Sequence, residues 1–201
     1  MTESIDPKSE WFSRYRVPPC GYFLRGEADL NWLRIHSLPR SKRYADTPAE
    51  WTELLRRQNT VATRLLGESS SCIVYVRTFE HTSDWSLRNS AWWSRHDFKM
   101  LDEQFPLYEG HPDRDLDDPE DREADIRFAI APTQWNSGKF DDLIRAVADD
   151  ETESVTFLSL TTGQVYAPYD GGADLFFQTE GDEQECRSEW HAWLSDHPCG
   201  L

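Results

Sequence analysis

The chain has few of the features that mark a protein for export, for a membrane or for a metal. No run in its 201 residues approaches the roughly 18 apolar residues that a membrane helix requires. The first residues, MTESIDPKSEWF, lack a basic cluster followed by an apolar stretch, so no secretory leader is expected. The HPCGL end is no lipidation box. These absences predict a cytoplasmic protein with no membrane partner. Cysteine is scarce: Cys20, Cys72, Cys186 and Cys199 form no CxxC pair and no Cys/His pair at zinc spacing. Reduced, partly buried thiols are expected, with no metal and no other cofactor. The covalent alternative is a bridge between Cys20 and Cys199. Lysine is also rare, four against 17 arginines. Genome base composition or salt adaptation produces such a bias, and neither reports an activity.

Motifs of known chemistry are missing as well. There is no GxSxG, no GxxxxGKS/T, no HExxH and no DxDxDG. No nucleic-acid motif is present, and an isoelectric point near 4.7 opposes attraction to phosphate backbones. The sequence names no catalytic residue and leans away from an enzyme.

What the chain does have is aromatic mass and a divided charge. Nine tryptophans and 13% aromatics supply enough large apolar surface for a real core. The mean hydropathy of −0.73 reflects an acidic surplus rather than a missing core. Residues 1–100 hold 15 Lys/Arg and 12 Asp/Glu, a balance of +3; residues 101–201 hold 6 and 25, a balance of −19. Charge divided in this way bears on partners and solubility, not on fold.

The hydrophobic pattern predicts a single α+β domain over 1–201. Residues 1–31 read as an irregular aromatic segment, broken by Pro18 and Pro19, whose Trp11, Phe12, Tyr15, Tyr22 and Phe23 pack as a flap over the core. Thr47-Pro48-Ala49-Glu50 opens a helix with a capping box and a proline at the first helical position. Apolar residues then recur at helical spacing up to Leu66, and Gly67 closes the helix. A second helix is expected from Ser137, with Phe140, Leu143, Ile144 and Val147 on one face. A third starts at a capping box of Asp182 and Glu185 and buries Cys186, Trp190, Trp193 and Leu194. Strands are expected over 72–79, near 97–101, and over 126–131, 155–160, 165–166 and 175–179. Strands adjacent in sequence argue for a mixed or largely antiparallel sheet with about three helices. Residues 113–125, with eight acidic groups and two arginines, read as a solvated loop.

Two segments carry side chains suited to binding. Residues 32–44, WLRIHSLPRSKRY, concentrate Arg34, His36, Arg40, Lys42 and Arg43. Arginine forks match carboxylate and phosphate oxygens, so this segment either takes an anionic ligand or docks onto the protein's own acidic half. Residues 166–174, YAPYDGGAD, combine Pro168, expected to end a strand, with Gly171 and Gly172, expected to allow positive φ and close backbone approach. Asp170 is expected to bond backbone groups two residues on. Tyr169, Asp170 and Asp174 would then stand at a sheet end. If the two segments lie within about 15 Å of each other, they can share one mixed-charge site. Residues 190–201 read as structural, because His191 and His197 are six apart rather than four.

Three strings, RIHSLPRSKRY at 34–44, YAPYDGGAD at 166–174 and WLSDHPCGL at 193–201, resemble uncharacterised bacterial proteins of similar size whose domains have no known function. The resemblance implies a soluble bacterial protein. It implies no catalytic residue and no ligand.

Two functions are expected. The first is a non-catalytic acidic interaction protein, of immunity type, whose Asp115, Asp117, Asp118, Glu120 and Asp121 attract a basic protein partner. The alternative is an enzyme or small-ligand binder. Its cleft, for a phosphorylated or carboxylated metabolite, would be formed by Arg34, His36, Arg43, Tyr169, Asp170 and Asp174. The sequence sets no oligomeric state.

Overall fold

The capping box at Thr47 is realised. In the computed structural model, which describes residues 5–27, 29–78, 90–101, 105, 127–152 and 154–194, Thr47 Oγ1 accepts from the Glu50 amide at 3.2 Å. The Glu50 carboxylate in turn accepts from the Thr47 amide at 3.1 Å. The elements in chain order are α1 (Pro7–Phe12), α2 (Gly21–Arg25), β1 (Asn31–His36), α3 (Pro48–Leu66), β2 (Ser71–Thr78), α4 (Ala91–His96), β3 (Lys99–Met100), β4 (Arg127–Gln134), α5 (Asp141–Ala148), β5 (Val155–Ser159), β6 (Val165–Tyr169), β7 (Gly172–Phe177) and α6 (Glu180–Glu189). Gly67 ends α3 at a φ of +83°, a conformation that favours glycine.

All seven strands are antiparallel to their neighbours, in the order β1-β7-β6-β5-β2-β4-β3. This is the expected α+β domain with a largely antiparallel sheet, and the three expected helices are the three longest among the described residues, α3, α5 and α6. Side chains alternate between the faces of a strand, so the sheet has a layer on each side. On one face Leu33, Ile35, Tyr166 and Leu175 pack with Leu54, Val61 and Leu65 of α3, Leu143 of α5 and Cys186 of α6. On the other, Ile73, Tyr75, Phe128, Leu158 and Phe176 pack with Trp11, Tyr15, Phe23 and Leu24 from the N-terminal segment. That segment is tied down by polar bonds. Trp11 Nε1 donates to the Val17 carbonyl at 2.7 Å, and the Tyr75 hydroxyl to the Pro7 carbonyl at 2.8 Å.

Several expectations change. The N-terminal segment is less irregular than its prolines suggest, with α1 and α2 in it, and Tyr22 is exposed rather than packed. Helix α6 begins one turn earlier than expected, because Thr179 caps it and Asp182 takes the third helical position. Helix α5 starts at Asp141, after a turn over 137–140. The basic segment that begins at Trp32 starts inside strand β1, which its charge does not announce. Its alternation places Leu33 and Ile35 in the core and Arg34 and His36 on the opposite face. Cys20, Cys72 and Cys186 are buried free thiols. Cys199, His197 and residues 113–125 lie outside the described residues.

Candidate functional site

A proline opens the sheet where the site lies. In the β5–β6 hairpin the Ser159 amide donates to the Gln164 carbonyl at 3.0 Å. The ladder continues through Leu158–Val165 and Phe157–Tyr166. Hydrogen-bonded pairs recur at every second residue of an antiparallel ladder, so the next would take an N–H of residue 168 to the Val155 carbonyl. Proline has no N–H to give, and the ladder stops at Tyr166. Pro168 nevertheless stays inside β6, contrary to the expectation that it ends the strand, because it remains opposite Ala173 of β7. Beside this parting is a cleft of about 430 Å³, with Ser154, Val155, Ala167 and Pro168 in its lining.

The sheet brings the two sequence segments together across this cleft. Strand β1 pairs with β7 so that Arg34 lies opposite Asp174 and His36 opposite Gly172. The β6–β7 hairpin places Tyr169 opposite Gly172, with Asp170 and Gly171 at its tip. Arg34, His36, Arg43, Tyr169, Asp170 and Asp174 all line the cleft, and α2 adds Tyr22 and Arg25. The glycines serve close approach rather than positive φ. Neither Gly171 nor Gly172 is left-handed, and a Cβ on Gly172 would overlap the Ile35 carbonyl oxygen.

Asp174 is the hub. It is only 4% exposed. Its Oδ1 accepts from Trp32 Nε1 at 3.0 Å and from Arg34 Nε at 2.8 Å. Its Oδ2 accepts from Arg34 Nη2 at 3.1 Å and lies 3.2 Å from Arg25 Nε. A buried carboxylate needs such partners to offset its lost hydration. Two arginines share this one carboxylate, which leaves the floor of the cleft with surplus positive charge. Burial, the largest single influence, pulls the Arg34 pKa down, but hydrogen bonding to Asp174 and the Asp174 charge together carry the net direction upward. The Arg34 guanidinium also lies 4.6 Å from the centre of the Tyr169 ring. Burial pushes the Tyr169 hydroxyl up to about 12, against the pull of Arg34.

A second pair stands at the rim. The Asp170 carboxylate accepts from Arg43 and, at 3.2 Å, from the Tyr44 hydroxyl, rather than from backbone groups two residues on. That hydrogen bond holds the Arg43 pKa above its ordinary value. The Arg43 side chain is 63% exposed and that of Asp170 only 13%. Lys42 turns away to Asp46 and Glu50, and Arg40 is exposed on left-handed backbone at φ +57°.

Helix α3 braces the site from behind. Gln58 Nε2 donates to the Gly172 carbonyl at 2.8 Å and to Ser37 Oγ at 2.7 Å, while its Oε1 accepts from the Tyr166 hydroxyl at 2.6 Å. Arg57 donates to the His36 carbonyl at 3.0 Å. Sequence reading missed Tyr22, Arg25, Trp32 and Gln58 as parts of the site. Gln58 left a signal, a polar side chain in the apolar stripe of Leu54, Val61 and Leu65. Arg25 left none, because only the docking of α2 brings it to Asp174. Asp115, Asp117, Asp118, Glu120 and Asp121 lie outside the described residues. Among the described residues no group of three or more His, Cys, Asp or Glu could hold a metal ion, and no helix is long and apolar enough to cross a membrane.

Fold and site together define an α+β protein with a mixed-charge cleft at one end of an antiparallel sheet. The chain belongs to the family described as Domain of unknown function (DUF3885), whose model matches residues 20–198. No curated protein and no solved structure matches it.

Proposed function

We propose that the cleft binds a small carboxylated or phosphorylated ligand. The observation that carries this reading is the gathering of Arg25, Arg34 and Arg43 around two carboxylates in one cleft of about 430 Å³. The volume falls in the range of about 300–1,000 Å³ usual for small-molecule sites. Asp174 engages two arginines on two oxygens, so their outer N–H groups suit a further anion. The Arg43 side chain is 63% exposed and can turn from Asp170 to a ligand oxygen, while the Tyr44 hydroxyl continues to donate to that carboxylate. Calorimetric titration with inorganic phosphate and with citrate at low ionic strength tests the reading. The expected result is saturable binding of at least one of them, about tenfold weaker in Arg43→Gln. Absence of saturable heat, or equal affinity in that variant, would overturn it.

The charge balance of −19 over residues 101–201 supports a second reading. In it the protein is a non-catalytic, immunity-type partner of a basic protein, attracted through Asp115, Asp117, Asp118, Glu120 and Asp121. Its mark is an association rate that falls steeply with salt. A pull-down at low salt that recovers no basic protein from the source cells counts against it. Neither reading involves nucleic acid, and both suit a cytoplasmic protein.

A further inference from the structure

Each of the three cleft arginines lies over a tyrosine. Arg25 is 5.5 Å from the centre of the Tyr22 ring, Arg34 is 4.6 Å from Tyr169, and Arg43 is 5.3 Å from Tyr44. Tyr22 and Tyr44 are 47% and 46% exposed, and among the described residues the only other exposed large hydrophobic is Ile5. Isolated exposed aromatics are ordinary, but these two stand at one cleft: Tyr22 lines it, and Tyr44 hydrogen-bonds the Asp170 that lines it. Arginine is planar, weakly hydrated and stacks on flat faces, so Arg–Tyr pairs present both charge and flat surface. A bare phosphate or carboxylate group uses only the guanidinium edges and fills little of 430 Å³.

We infer that the ligand of this cleft carries a flat ring as well as an anionic group, as nucleoside monophosphates and aryl carboxylates do, with Tyr22 as a ring-contact residue. The inference rests on the anion-binding reading above and narrows it. Its test is a calorimetric comparison of two matched pairs on the full chain, AMP with ribose 5-phosphate and indole-3-acetate with acetate. In at least one pair the ring-bearing member binds about tenfold or more tightly, and that pair identifies the source of the anion. Tyr22→Ala brings the ratio close to one, and Tyr22→Phe preserves it. Equal affinity within both pairs overturns the inference and leaves the anion site standing. So does an equal loss for both members in Tyr22→Ala, because Tyr22 would then act only by holding Arg25. If none of the four compounds binds and phosphate and citrate also fail, the anion site falls together with the inference.

Discussion

Asp174 concentrates the residue-scale chemistry. Its carboxylate faces Trp32, Arg25 and Arg34 while almost wholly buried. Removing one partner of a buried ion pair is costly because the other charge stays behind without compensation. Asp174→Asn keeps the size and one carbonyl acceptor but deletes the charge that two arginines share. It is expected to lower stability by about 3–5 kcal/mol, read from the urea midpoint. A loss below about 1 kcal/mol would mean that the arginines find water instead and that the hub is not structural.

Two elements carry predictions of their own. In β6, Pro168 withholds the amide that would extend the β5–β6 ladder. Pro168→Val supplies it, so the new amide is expected to be protected from hydrogen exchange, the cleft to narrow and phosphate binding to weaken. Rapid exchange at position 168 would contradict the account of how the cleft opens. At the start of α3, hydrogen bonding to Lys42 holds the Glu50 carboxyl near 2, and hydrogen bonding to Arg56 holds Glu53 near 2, both below the ordinary 4.5. A depressed folded-state pKa contributes stability above the unfolded value, and that stability is lost as pH falls toward the folded one. The protection of amides around 47–53, taken as exchange relative to the intrinsic rate at each pH, is therefore expected to fall as pH drops from 4.5 to 2, with a smaller pH response in Glu50→Gln. A flat profile in the native chain would contradict it.

At the scale of the whole molecule, the sheet order and the site differ in how far they could be read from sequence. The core of α3, its capping box and the strands from 72 onward follow from periodicity and turn chemistry, which act locally. Strand β1 was hidden because Arg34 and His36 drew attention to charge, while Leu33 and Ile35 between them carried the strand period. Arg34, His36, Arg43, Tyr169, Asp170 and Asp174 were legible as two segments of matching chemistry. That they meet follows from β1 joining the far edge of the β5–β6–β7 meander, a long-range pairing that no local pattern encodes. Arg25 depends on a longer chain of events, since the N-terminal segment must first dock on the second face. The divided charge is partly internal: Arg34 and Arg43 of the positive half close onto Asp174 and Asp170 of the negative half. The surplus of arginine over carboxylate at that junction makes it a candidate site.

The most direct test of that claim uses the indole of Trp32, which donates to Asp174 at 3.0 Å and so reports on the hub itself. Its N–H resonance, identified among the nine tryptophans by its loss in Trp32→Phe, would be followed by nuclear magnetic resonance during a phosphate titration at low ionic strength. The account predicts a saturable shift of the Trp32 signal that Arg43→Gln weakens, with the indole of Trp135, on the opposite face of the sheet, unmoved. A Trp32 signal that stays fixed through the titration would contradict it.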